Sequence, residues 1–118
     1  ELINMQLYLA SSSPRRQTLL TQIGLSFATL AIDVDESIQP GEKPSDYATR
    51  LAIAKAQAGW ASPARKENIP VLGADTIVVF NNVILGKPGN KEDGLHMLQR
   101  LSGKTHEAIT AIALVQNE

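Results

Sequence analysis

Leu7-Tyr8-Leu9-Ala10-Ser11-Ser12-Ser13-Pro14-Arg15-Arg16 is the stretch that decides how this chain is read. Its first four residues suit a strand, and the serines stop it because their hydroxyls accept from backbone N–H groups. Pro14 stands where a first helical residue would, and its missing N–H is one of the orphans of a helix start in any case. Strand, turn and helix therefore follow one another. A helix N-terminus offers free N–H donors and partial positive charge, so it receives anions, phosphate above all. Arg15 and Arg16 occupy the unfavourable end of the helix dipole, and a negative ligand there explains them. The plainer reading is that Ser-Pro opens many helices and that surface arginines need no ligand.

Outward from this stretch, Leu19, Leu20 and Ile23 continue a helical period, and Gly24 is placed to end it. Residues 27–34 read as a strand that runs into Asp33-Val34-Asp35-Glu36, and 39–44 as a loop rich in Pro and Gly. Ser45 is expected to cap a second helix with Asp46 in its first turn. Tyr47, Leu51, Ala54 and Ala58 fall on one face of it. The run 52–59 is small-sided, so this helix can approach its neighbours closely, and Lys55 is the odd residue in it. A polar connection, 60–70, leads to the strongest strand, Val71–Phe80. Asn81-Asn82 suits a two-residue turn and 83–85 a returning arm. Asn90 is expected to cap a third helix over 91–101, with Leu95, Leu98 and Leu101 as its stripe. A last strand, Glu107–Val115, is apolar on both faces, a pattern that belongs in the middle of a covered sheet, under a partner chain or as part of something longer. The second is favoured. Strands and helices alternate, which predicts an α/β fold.

The 118 residues suit one domain, and 43% apolar with 19% charged residues is the composition of a globular chain. A formal net charge of −1 argues against a broad nucleic-acid footprint but leaves room for a small anion site. With no cysteine there is no disulfide or thiolate chemistry, which fits the cytosol. No apolar run approaches a membrane span, and no signal peptide is visible. Residues 1–4, ahead of Met5, read as a cloning remnant or an upstream extension and are set aside.

Asp75 is the strongest single residue, an acid inside a run that otherwise wants burial, where an unpaired carboxylate costs several kcal/mol. It is either paired with an arginine or capping a helix, or it is a metal-binding or proton-accepting group at a strand end. Asp33, Asp35 and Glu36 form an acidic knot. Alone, such a run is an ordinary solvated loop; together with Asp75 it offers the oxygen ligands with which Mg²⁺ bridges protein and phosphate. Lys55 and Lys87 are further cations, Lys87 in the stiff Gly86-Lys87-Pro88 turn. Three patterns are refused. Gly103-Lys104-Thr105 follows a predicted helix and has Leu98 where a phosphate loop needs its first glycine. His96 and His106 lack metal-ligand spacing, and no Gly-x-Ser-x-Gly elbow surrounds the serines.

Taken in order, Leu9-Ala10-Ser11-Ser12-Ser13-Pro14-Arg15-Arg16, Asp35-Glu36, Lys55-Ala56, Gly73-Ala74-Asp75-Thr76, Gly86-Lys87-Pro88 and Leu101-Ser102-Gly103 resemble the Maf family of nucleoside triphosphate pyrophosphatases. The resemblance implies a mixed central sheet flanked by helices, ITPase-like, with residues 5–118 the N-terminal part of a single domain and the fold incomplete at its C-terminus. It implies a cytoplasmic enzyme, often a homodimer, that cleaves nucleoside triphosphates to monophosphate and pyrophosphate with Mg²⁺ or Mn²⁺. It implies a link to septum formation, and neither nucleic acid nor membrane as partner. Asp75 matches the family's proton acceptor. Arg15 and Thr76 match positions tied to substrate choice, and Ser13, Arg16, Glu36, Lys55 and Lys87 match further cleft residues. Glu36 and Asp75 would hold the metal. The Ser-Pro-Arg-Arg and Gly-Ala-Asp-Thr spellings resemble the subgroup acting on dTTP and UTP. The family continues with further strands and a base-recognising glutamine segment that this sequence does not contain. A nucleotide-binding regulator without catalysis, or an inactive folded fragment, are the alternative readings.

Overall fold

The computed structural model describes residues 5–11, 13–80, 83–85 and 107–116. The opening stretch folds as its local chemistry dictates. β1 (Leu7–Ala10) is buried throughout, and α1 (Pro14–Gln22) starts on Ser13, whose hydroxyl accepts from the Arg16 N–H at 3.5 Å. Gly24 follows the C-cap with a φ of 84°, a left-handed backbone that glycine adopts without a Cβ penalty.

β2 (Phe27–Thr29) pairs parallel with β1 and is shorter than the 27–34 stretch the sequence suggests. β1 has only four residues, so beyond the Leu30 N–H, which still bonds Leu9 O at 2.9 Å, it offers no further partner.

α2 (Pro44–Trp60) begins one residue before the expected cap: Lys43 is the N-cap, without a side-chain bond, and Pro44 opens the first turn. Proline's fixed φ and missing N–H make it the natural first helical residue, which overrides Ser45. The buried face is Tyr47, Ala48, Leu51, Ala52, Lys55, Ala56 and Gly59; Ala54 and Ala58, expected on it, are half-buried at its margin.

β3 (Val71–Phe80) is the central strand. On one edge β1 pairs parallel with it over residues 71–73, and further along the same edge β4 (Val83–Leu85) pairs antiparallel over 78–80. β5 (Glu107–Val115) runs antiparallel along the whole opposite edge. Among the described residues the sheet is thus mixed and five-stranded, with β2 outside β1. Between the end of β1 and the start of the β4 pairing, residues 74–77 are paired only on the β5 side among the described strands, which leaves a notch in the sheet. Among the described residues β5 is an edge strand, with Ile112 and Leu114 exposed, so the cover that its two apolar faces call for is not supplied by the strands described.

The two helices take opposite faces. Tyr47, Ala48 and Leu51 of α2 pack on Ile77 and Val79, whereas Leu20 of α1 packs with Leu7, Leu9 and partly buried Leu72. Side chains alternate along a strand, so odd-numbered β3 residues face α2 and even-numbered ones face away. The small residues of α2 let it lie directly on the sheet at Gly73 and Gly59. The 61–70 connection is pinned by the Tyr8 hydroxyl, which accepts from the Lys66 and Glu67 N–H groups, both at 2.9 Å. Asn81-Asn82, Lys87, the third helix, both histidines and Gly103-Lys104-Thr105 lie outside the described residues. No helix among those described is long and apolar enough to cross a membrane.

Candidate active site

Asp75 lies in the notch on the α2 face, 4% exposed. Its Oδ1 accepts from Lys55 Nζ at 2.9 Å, and both side chains are nearly covered. Lys55 reaches it because α2 meets β3 with no side chain between them at Gly73. Of the two readings open for Asp75, the structure gives it a partner, a lysine of α2 and not an arginine. It does not exhaust the carboxylate: Oδ2 is buried and has no hydrogen-bond partner among the described residues. A carboxylate oxygen without a donor is costly in a covered site, so Oδ2 is the atom left for a proton or a cation.

Thr76, the next residue, is exposed and faces the other way. Its hydroxyl accepts from Arg16 Nη2 at 2.9 Å and lies 3.0 Å from the Thr110 hydroxyl, its register partner on β5. The Ser-Pro-Arg-Arg turn and the Gly-Ala-Asp-Thr strand are therefore brought together. Arg16 and Lys55 are anchored on successive residues, whose Cα atoms are about 3.8 Å apart along the chain. Ser13 is occupied as the α1 cap, and the Ser11 hydroxyl accepts from the Ser13 N–H at 3.1 Å. Arg15 is exposed in the first turn of α1 and is not joined by a hydrogen bond to the other selected residues described.

Glu36 sits in the irregular segment between β2 and α2 with its side chain exposed. Its backbone carbonyl accepts from the Tyr47 hydroxyl at 2.6 Å. Burial pushes the Tyr47 phenol above its ordinary value, and the charge of Asp75, then that of Glu36, push it the same way. The phenol thus lies within the field of both carboxylates. Among the described residues no three His, Cys, Asp or Glu side chains gather as a protein-only metal cage. The orphaned buried oxygen of Asp75 nevertheless suits a hard cation that draws the rest of its shell from phosphates.

Sequence reasoning passed over Tyr47, Arg50, Glu42 and Thr110. Tyr47 registered only as a core residue, and nothing in the spacing of Glu42 and Arg50 marks them as partners. Arg50 Nε and Nη2 donate to the Glu42 carboxylate at 2.7 and 2.9 Å, and Nη2 also donates to Ser37 O at 2.8 Å. The Arg50 guanidinium holds the Glu42 carboxyl below its ordinary value, and hydrogen bonds from Ser37 do the same for Asp35. Depressed carboxyls stabilise the fold above their unfolded values, here 4.5 and 3.8, and that contribution is lost as pH falls through the lower folded values. Amide-exchange protection of residues 35–42 should therefore be constant above about pH 5 and fall on acidification below about pH 4. Glu42→Gln should lower it already at neutral pH. Protection that stays level across that range would contradict this.

A family model described as Maf-like protein matches residues 6–118. A dTTP/UTP pyrophosphatase of Pseudoalteromonas atlantica is 54% identical over 113 residues, covering 95% of this chain and 59% of the relative. A dTTP/UTP pyrophosphatase of Escherichia coli K12 is 48% identical over 112 residues, covering 95% and 56%. The chain thus spans under three fifths of the length of these curated relatives. A solved nucleoside-triphosphatase / dITP/XTP pyrophosphatase from Mycobacterium abscessus overlaps with a TM-score of 0.48 at 14% identity, covering 95% of this chain and 74% of that one, too loosely to bear on the site. The sequence match leaves out only the first five residues and takes in the serine turn, the acidic segment and the Asp75 strand, so the chain belongs to the Maf-like protein family.

Proposed function

We propose that this site releases pyrophosphate from a pyrimidine nucleoside triphosphate, dTTP or UTP, leaving the monophosphate. The observation that carries the reading is Asp75, a buried carboxylate fixed on one oxygen by Lys55 and unpartnered on the other, next to a threonine that binds an arginine of a helix N-terminus. The names of the relatives supply the reaction and the nucleotides.

In this reading water attacks the α-phosphorus, Oδ2 of Asp75 takes its proton, and the bond from that phosphorus to the α–β bridging oxygen breaks. A positioned base of this kind contributes roughly 10²–10⁴ in rate. Oδ2 is covered, so substrate binding has to admit a water to it. Arg15 and Arg16, together with Lys87, neutralise the triphosphate and the charge that grows on departing pyrophosphate. Lys55 orients the carboxylate and adds its own charge. Ser13 shapes the helix start that faces the phosphates, and Thr76 with Arg15 bears on substrate choice. Glu36 and Asp75 are the residues that would hold Mg²⁺ or Mn²⁺. Bound there, such an ion supplies Lewis acidity toward phosphate oxygens and water. The family resemblance extends the reading to a cytoplasmic homodimer linked to septum formation.

Incubation with UTP and Mg²⁺ tests it: equimolar UMP and pyrophosphate are expected. UTP that binds yet stays intact for hours would instead leave a nucleotide-binding regulator. Arg16→Ala should weaken UTP binding about 10-fold, the low end for a charge-assisted hydrogen bond. It should change stability by less than about 0.5 kcal/mol, because its contact with Thr76 is exposed. Unaltered affinity would remove Arg16 from the phosphate site.

A further inference from the structure

The acidic segment between β2 and α2 has no regular structure, yet α2 fastens it around Glu36. The Tyr47 hydroxyl holds Glu36 O, and one guanidinium, that of Arg50, holds Ser37 O and the Glu42 carboxylate. The same guanidinium lies 5.5 Å from the centre of the Tyr47 ring. Within the segment, Asp35 Oδ1 accepts from the Ser37 N–H at 2.9 Å, closing a local turn about Glu36. Tyr47 is no loose tether: the residue is 7% exposed and packed with Ala48, Leu51, Ile77 and Val79. Residues 47, 51 and 55 are spaced four apart and form one row on the buried face of α2. The last of that row holds Asp75 and the first holds Glu36. One row of one helix thus holds Asp75 by its carboxylate and Glu36 by its backbone carbonyl.

We propose that Tyr47 and Arg50 are positioning residues, which fix the Glu36 segment relative to Asp75 and so set the affinity of the pair for a divalent cation. The inference rests on the reading of Glu36 and Asp75 as the cation-holding pair. Without the Tyr47 hydroxyl, Glu36 must be ordered at the moment of binding, and affinity falls by about what one net hydrogen bond is worth, roughly 3- to 10-fold.

The test is Mn²⁺ titrated into the 118-residue chain, with free Mn²⁺ read by electron paramagnetic resonance and thermal unfolding followed alongside. Tyr47→Phe and Arg50→Gln are each expected to weaken Mn²⁺ binding about 3- to 10-fold. Tyr47→Phe is expected to have no further effect in a Glu36→Gln background. Variants that melt earlier but bind Mn²⁺ like the parent would overturn the inference and reduce both residues to structural ties. An equal loss with and without Glu36 would overturn it as well. Failure of the reading beneath it looks different: the parent does not bind Mn²⁺, or Glu36→Gln binds it as the parent does, and the inference falls with it.

Discussion

Replacing Lys55 with methionine should destabilise the fold by about 3–5 kcal/mol, the usual cost of removing one partner from a buried ion pair. The size follows from what is left behind. Asp75 would keep a covered carboxylate with neither oxygen partnered among the described residues, since Oδ2 has none even in the parent. Methionine retains most of the lysine stem, so lost packing against the sheet contributes little. Lys55→Met combined with Asp75→Asn should recover more than half of the loss, because the charge is then removed from both sides. Urea melts of the parent, both single variants and the double variant measure the coupling. A Lys55→Met protein within about 1 kcal/mol of the parent would mean that Asp75 is not confined as the structure has it.

Gly73→Ala is the second large effect. The added Cβ would overlap the Ala52 carbonyl oxygen and stand 2.5 Å from Ala56 N and 2.9 Å from Ala56 Cβ. Backbone atoms cannot swing aside, so the helix has to lift. Overpacking of this kind costs typically 1–3 kcal/mol, and a backbone obstacle belongs at the upper end. The loss of unfolded-state entropy on replacing glycine offsets at most about 1 kcal/mol. A net loss of about 2 kcal/mol or more is expected, together with a drop in activity, because lifting α2 draws Lys55 off Asp75. Gly59→Ala is the comparison. Its added Cβ meets side chains, Val71 Cγ1 at 2.7 Å and Ala10 Cβ at 3.0 Å, and helical alanine is favoured over glycine by roughly 1 kcal/mol. That variant should lose at least about 1 kcal/mol less than Gly73→Ala. Equal losses at 59 and 73 would refute the account of why 73 is glycine.

What the sequence disclosed was local chemistry. The serine cap, Pro14 in the first turn, Gly24 after α1 and the apolar run of β3 each carry their signal within a few residues, and each is where the spacing puts it. Lys55 and Asp75 were legible as two misfits, a cation among alanines and an acid among valines, but not as one another's partner. That pairing depends on the bare backbone contact at Gly73. The second helix shows how competing local signals mislead, since Ser45 invites a cap while Pro44 takes the first turn. Tyr47 and Arg50 left no mark because their partners lie in a segment without periodicity. β5 is apolar on both faces, a composition that calls for cover but does not reveal what lies beside it. Lys87 lies outside the described residues, and its place in the site rests on the resemblance alone.

Pyrophosphate release from dTTP by Asp75→Asn, measured beside the parent at saturating Mg²⁺ and nucleotide, tests the central claim most directly. Asparagine keeps the shape of the side chain and can still accept from Lys55 on one side, but it offers no proton-accepting oxygen on the other. The rate should fall by roughly 10²–10⁴ while the nucleotide still binds. Release at the parent rate would contradict a proton acceptor at this position.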